Sequence, residues 1–450
     1  MSHSKTENSK LYFLSIRGLG RLIFIVLLLV SAFKAEVEHI GSLKNFNQIL
    51  SSTENKMKQK NKSDFGNSDK NGSSSKVEAI SVQPDNFFSI PVEFKSRVAF
   101  WVNIYGKYTS DDAVFHDSQN LSIVYKVTDL RPIMNSNLHP FVKEFKVKSL
   151  IEKDRNVLLA HLRMLKKHLG KTNLTENERN LFNLLGKPKR KKIVAEAISN
   201  LRMQIGQKSF VEKALINSDL YLPLMEKIFE KKGLPKELTR IPFVESSFNL
   251  AARSRVGASG IWQIMPATGR KLMPNSIVDY RNDPIKATEF AAGLLKFNFK
   301  VVDRWPLAIT AYNHGPTSIS KLTKKYKTKD LPRLIEKVYG THAFGFASSN
   351  FYACFLAILE VEKNREKYFP NLETRHPLEF SIIQLKHSIK YSQLLTWFDQ
   401  DLKKAENFNP HIANLAKLGK IEIPKGTFLY IPGNITEFAY KDLPKLARKI

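Results

Sequence analysis

Glu245 lies in the run Arg240-Ile241-Pro242-Phe243-Val244-Glu245-Ser246-Ser247-Phe248, a carboxylate near the end of a mostly apolar segment that Pro235 can open as a helix. Desolvation in such a setting raises a carboxyl pKa and keeps the proton on near neutrality, which is what a general acid requires. From Ser246 through Val278 there is no other Asp or Glu. A two-carboxylate glycosidase arrangement therefore has no partner nearby in sequence, and only Asp279, Asp283 or a remote residue can bring one up in space. A solvated glutamate at a helix end is the plainer alternative.

Downstream, Gly257-Ala258-Ser259-Gly260-Ile261-Trp262-Gln263-Ile264-Met265-Pro266 places small residues where backbone must approach something closely, then a Trp and a Gln before a Pro stop. Gln263 offers the mixed donor and acceptor that hydroxyls and acetamido groups need, whereas a Trp such as Trp262 is more often a core residue than a sugar platform. Ala311-Tyr312-Asn313-His314-Gly315-Pro316 closes a helix expected over about Pro306 to Tyr312, which makes His314 a turn residue. Cys354 is the one cysteine, so no intramolecular disulfide and no Cys-based zinc site is available. Its apolar setting, Phe351-Tyr352-Ala353-Cys354-Phe355-Leu356, reads as a buried core thiol.

These residues need a scaffold, and the rest of the chain divides by composition. Leu22 to Phe33 is an apolar stretch preceded by Lys10, Arg17 and Arg21, the pattern of an export signal at residues 1–35 that is either cleaved or kept as an anchor. Residues 36–84 contain a Ser-, Asn-, Lys- and Gly-rich stretch with too little apolar surface to offset ordering entropy, and read as a flexible basic linker. From Phe87 to Leu130 the texture is aromatic and β-branched, at Val98, Phe100, Trp101, Ile104 and Tyr105 and then in alternation at Leu121, Ile123, Tyr125 and Val127. This predicts a small strand-containing module over 85–145. Ile151, Leu158, Leu162, Leu165 and Leu169 then take up a helical spacing, and Thr175 with Glu178 forms a capping box, so 146–204 reads as a helical lead-in. The basic run Lys187 to Lys192 reads as a solvated interhelical turn, because no aromatic residue interleaves it and an export signal argues against a nuclear address. The segment 369–450 reads as a small α+β unit.

Lys and Arg outnumber Asp and Glu by 71 to 42, a formal net charge of +29. Removing residues 1–35 takes away Lys5, Lys10, Arg17, Arg21 and Lys34 but only Glu7, so the exported chain stays strongly basic. That charge calls for an anionic partner or surface and says nothing of fold.

The succession Glu245-Ser246, Gly257 to Pro266 and Ala311 to Gly315, in this order and spacing, resembles the three main motifs of the soluble-lytic-transglycosylase domain, and the run Leu234 to Asn249 is most similar to its membrane-bound murein branch. The resemblance covers about residues 205–368. It implies a mainly α, goose-lysozyme-like catalytic domain that cuts peptidoglycan glycan strands non-hydrolytically with a single acid, leaving 1,6-anhydromuramyl ends. It further implies Glu245 as the catalytic acid and base, Ser246 as a residue orienting the acid or the acetamido group, Gln263 and Met265 as lining of the saccharide groove, and Tyr312 with Asn313 as its wall. Tyr352 stands where the tyrosine of a fourth motif falls, although Ser348-Ser349-Asn350 replaces the charged element that often precedes it, and His314 replaces the commoner small residue. Asn409-Pro410, Ile423 to Gly426 and Tyr430-Ile431-Pro432 resemble the end of a LysM glycan-binding repeat or the related short tail of this transglycosylase branch, and Pro424-Lys425-Gly426 reads equally as a simple turn between short strands. Taken together these imply an exported, envelope-located enzyme with no metal and no organic cofactor. Its partner is the glycan strand and not nucleic acid, with association at the membrane through the N-terminus or the surface. A lysozyme-like hydrolase using the same acid with water, and a non-catalytic wall-binding scaffold, remain as alternatives.

Overall fold

Val98, Trp101, Ile104 and Tyr105 recur three and four residues apart and all are buried. The segment holding them is helix α1 (Lys95–Gly106), where the aromatic and β-branched texture had suggested strand. Spacing outweighed residue type there, because β preference measures fit to a half-buried pleated surface and a helix stripe satisfies the same side chains equally well. The computed structural model describes residues 88–338, 341, 344–433 and 446–449. The export signal expected at 1–35 and the linker expected at 36–84 lie outside the described residues. Across the described residues the chain is mainly helical and falls into two compact units, one of residues 103–209 and one holding 88–102 and 210 onward.

The first unit is built on β1 (Asp112–Asp117), β2 (Val124–Asp129) and β3 (Leu201–Ile205), antiparallel in the order β2-β1-β3. The central strand β1 is buried along nearly its whole length, as a strand paired on both edges should be. Helix α2 (Pro140–His168) lays Val147, Leu158, Leu162 and Leu165 inward. Glu178 accepts from the Thr175 amide at 2.8 Å while Thr175 Oγ1 accepts from the Glu178 amide at 3.3 Å, the reciprocal cap that starts α3 (Glu176–Leu184). Leu162, Leu165 and Leu181 meet Val194 and Ala197 of α4 (Lys191–Asn200) in one cluster. Lys187, Lys189 and Arg190 are exposed in the turn between α3 and α4.

The second unit carries α5 (Lys208–Ser218), α6 (Leu222–Lys231), a 3₁₀ turn (Lys236–Arg240), and the short α7 (Ile241–Ser246). It continues with α8 (Pro284–Val302), α9 (Trp305–His314), α10 (Pro316–Lys325), α11 (Leu331–Val338) and α12 (Phe346–Lys363). Helix α8 packs on α6, α9 and α10, and α12 packs on α7 and α9. Residues Asn350 to Ile358 of α12 are buried without a break, Cys354 among them, which makes this helix the axis of the unit.

At the C-terminal end, β4 (Phe380–Leu385), β5 (Phe428–Pro432) and β6 (Ala447–Lys449) form an antiparallel sheet in the order β5-β4-β6, with α13 (Tyr391–Thr396) and α14 (Leu402–Phe408) between β4 and β5. Trp397 and Phe398 are buried, but just beyond α13. Asp399 and Gln400 take positive φ, at 52° and 63°, in the turn between α13 and α14.

Candidate functional site

Glu245 is the penultimate residue of α7, and three features place it. Pro242 sits in the first turn of the helix, where its missing N–H costs nothing. Ser247 and Phe248 then adopt positive φ, 49° and 52°, and stop the helix at Ser246. Ahead of α7, the Arg240 guanidinium grips both oxygens of Glu362 on α12 at 2.7 Å and also bonds Glu226 on α6, fastening the entrance of the helix to two neighbours. The Glu245 side chain is buried, about 9% exposed. Burial pushes its carboxyl up to about 8, with no neighbouring charge contributing to the shift, and the carboxyl makes no hydrogen bond to any described residue. At neutral pH it therefore carries its proton and points no donor or acceptor at the protein.

The two nearby aspartates are occupied elsewhere. Asp279 pairs with the buried Arg281 at 2.8 and 2.9 Å. Asp283 accepts from the Ile285 and Lys286 amides at the start of α8, and from the Tyr430 hydroxyl at 2.8 Å. No second carboxylate enters the electrostatic surroundings of Glu245.

The loop 257–265 faces the same helix. Ser246 Oγ lies 2.9 Å from Ile261 O of the loop and 3.1 Å from Pro242 O of its own helix, so its one hydroxyl proton is shared between α7 and the loop and is taken up by backbone. Arg281 donates from one Nη1 to Gly257 O at 2.8 Å and Ile264 O at 3.2 Å, so a single guanidinium clasps both ends of the loop. Gly260 makes the close backbone approach that the small residues implied. It has φ +73°, and a Cβ there would lie 1.8 Å from Arg281 O.

Gln263 has φ 47° and donates its amide nitrogen to Gly260 O at 2.8 Å and Ala252 O at 3.3 Å. Its Oε1 accepts from no described residue, so of the two functions the residue type offers, the acceptor is the one left for a ligand. Met265 is half-buried at the end of this loop. Trp262 is fully buried, stacked on Phe229 at 5.9 Å with Nε1 donating to Thr288 Oγ1 at 2.8 Å, and serves as core beneath the loop.

Helix α9 reaches the same loop. The Tyr312 hydroxyl donates to Trp262 O at 2.8 Å. Burial pushes its phenol well above the usual tyrosine range, and the charge of Glu245 adds to that shift, which brings these two side chains into one electrostatic neighbourhood. Asn313 is half-buried, with Oδ1 accepting from Ser348 Oγ at 2.9 Å. Tyr352 is buried edge-on to Phe94 at 5.7 Å and beside Phe355 at 6.3 Å, and its hydroxyl bonds neither Glu245 nor any other described residue. Geometry thus brings Glu245, Ser246, Gln263 and Tyr312 onto one connected set of elements, carries Asn313 on the same helix end, and sets the Tyr352 ring in an aromatic cluster. Arg281, Thr288 and Ser348 escaped the sequence reading, since only the fold brings their polar atoms to the loop and the α9 end. The Asp283-Pro284 helix start was a legible sign that the chain turns back there, but it does not reveal where Arg281 reaches.

Among the described residues no group of three or more His, Cys, Asp or Glu side chains could hold a metal ion, and no helix is long and apolar enough to cross a membrane. Residues 224–334 match the Transglycosylase SLT domain family. The chain is 25% identical over 206 residues to membrane-bound lytic murein transglycosylase D of Escherichia coli (strain K12), and equally to that of Escherichia coli O6:H1, an alignment covering 45% of this chain and 45% of each relative. It is 34% identical over 110 residues, 24% of this chain and 53% of the relative, to a protein of Alteromonas sp. (strain M-1) named for tributyltin chloride resistance. The chain thus spans about half the length of the curated relatives it matches.

Proposed function

We propose, taking as premise the Transglycosylase SLT domain at residues 224–334, that this protein is a peptidoglycan lytic transglycosylase of the cell envelope. It cleaves the MurNAc-GlcNAc β-1,4 bond without water and leaves 1,6-anhydromuramyl ends. The observation that carries this reading is Glu245, a buried carboxyl that holds its proton near neutrality and has no second carboxylate in its surroundings. Glu245 gives its proton to the glycosidic oxygen as the bond from muramyl C1 breaks. The resulting carboxylate then takes the proton of the muramyl 6-hydroxyl as that oxygen closes on C1, so the enzyme returns to its starting state and the substrate supplies its own nucleophile. Ser246, Gln263, Met265, Tyr312, Asn313 and Tyr352 are the proposed substrate-side residues. Within that set Ser246 acts by holding α7 to the loop, and Gln263 offers an oxygen to a glycan hydroxyl or N–H. The net charge of +29 favours retention near the carboxylates of stem peptides or an anionic membrane surface, an attraction that added salt screens.

Mass spectrometry of the products from purified sacculi tests the reaction. Anhydromuramyl ends are expected. Reducing muramyl ends would replace this reading with a hydrolase that uses the same acid and water, and the absence of any released product would leave a wall-binding scaffold.

The pH profile is a second check. The acid works while protonated, so turnover is expected to hold below about 8 and to decline as pH rises through that value. A decline centred near 4.5, the ordinary glutamate value, would mean that burial does not tune this carboxyl.

A further inference from the structure

We propose that Ser348 and His314 are positioning residues that fix the carboxamide of Asn313 with its nitrogen toward the groove, as a donor for a carbonyl or hydroxyl oxygen of the glycan. The proposal rests on the glycan-cleaving reading above. Ser348 is about 1% exposed on α12, and its Oγ lies 2.9 Å from Asn313 Oδ1 and 3.1 Å from His314 Nδ1. The other ring nitrogen of His314, Nε2, lies 3.0 Å from Ser318 Oγ on α10. A hydroxyl has one proton to give. If Ser348 gives it to Asn313, His314 Nδ1 must carry the proton of that contact, and Nε2 is then the acceptor for Ser318. The four side chains form one directed series, Ser318 to His314 to Ser348 to Asn313, in which each donates to the next.

The consequence falls on the last member. Asn313 Nδ2 bonds no described residue, so with Oδ1 held by Ser348 both of its N–H groups are open to a ligand. An asparagine amide is nearly symmetric in shape and presents either end at little steric cost, so an anchor on one atom is what decides its polarity. The reverse arrangement, with Nδ2 donating to Ser348, would show the groove an oxygen instead. Gln263 has already spent its nitrogen on Gly260 O and presents oxygen. With Asn313 held as above, the site offers one acceptor and one donor, which suits the alternating N–H, C=O and O–H groups of an acetamido sugar. His314 is braced for this task by Phe344, edge to face at 4.6 Å.

The test is a KM and kcat comparison on soluble glycan strands released from sacculi, using the full chain. Ser348→Ala is expected to raise KM about 10-fold with the pH dependence of kcat unchanged, in keeping with one lost polar contact. Ser348→Thr, which keeps the hydroxyl, is expected to restore most of it. In an Asn313→Ala background, Ser348→Ala is expected to add nothing further, since its effect passes through Asn313. An unchanged KM for Ser348→Ala, or effects that simply add in the double variant, would overturn the positioning role while leaving the enzyme assignment in place. A wild-type chain that releases no product in the same assay would overturn both.

Discussion

Glutamine at position 245 is expected to leave the protein folded and to lower turnover on sacculi by roughly 10²-fold or more, the loss typical of removing a general acid. The substitution is nearly isosteric. The wild-type carboxyl makes no hydrogen bond to any described residue, so the change removes no structural contact and takes away only a transferable proton. It should also stabilise the protein at neutral pH. In the folded state the carboxyl titrates near 8, against the ordinary 4.5 that the unfolded chain would show. Between those values the folded protein holds a proton that the unfolded chain has released, so stability is fullest below about 4.5 and declines as pH rises toward 8. At pH 7 that difference is worth roughly 3 kcal/mol, at about 1.4 kcal/mol per pH unit. Glutamine has no proton to lose and escapes the penalty. Thermal melts of both proteins at pH 5 and pH 7 check this, the variant gaining over wild type at the higher pH. A variant that is stable and still turns over at near wild-type rate would remove Glu245 from the chemistry.

Gly260→Ala is expected to have the largest effect on stability. The residue sits at φ +73°, and the added Cβ would meet Arg281 O at 1.8 Å, a backbone atom that cannot swing aside. Left-handed strain and the steric clash together are expected to cost roughly 2–5 kcal/mol, or else to force the loop away from Arg281. Either result carries Gln263 out of place, so activity falls along with the urea midpoint. Gly293→Ala serves as the contrast. That glycine is inside α8 with nothing within 4 Å of the new Cβ, and the same methyl there is expected to be neutral or to stabilise by up to about 1 kcal/mol. If the two variants melt alike, the close approach at Gly260 is not what constrains the loop.

Some of this architecture was legible before any fold was drawn. The capping box of Thr175 and Glu178, the apolar spacing of Leu158, Leu162 and Leu165, and the proline at the head of α7 are local signals, each decided within a turn or two of chain. The α1 segment shows the limit of such reading, since its valine and aromatic residues favour strand by type while their spacing favours helix, and burial followed the spacing. Trp262 shows another, for a tryptophan beside a groove motif can face sugar or core, and only the presence of Phe229 and Thr288 beneath it sends it inward.

The order and spacing of the motifs, through their resemblance to the lytic transglycosylase domain, singled out Glu245 as the acid to consider and Gln263, Tyr312 and Asn313 to accompany it, because functional groups and their spacing are what a sequence carries. Tertiary structure decided what state those groups are in. Glu245 keeps its proton because the packed helices exclude water from it, Gln263 turns its oxygen outward because Gly260 O and Ala252 O take its nitrogen, and Asn313 answers to Ser348, 35 residues away in the chain. Desolvation and hydrogen-bond direction depend on neighbours in space, and no spacing along the sequence encodes them.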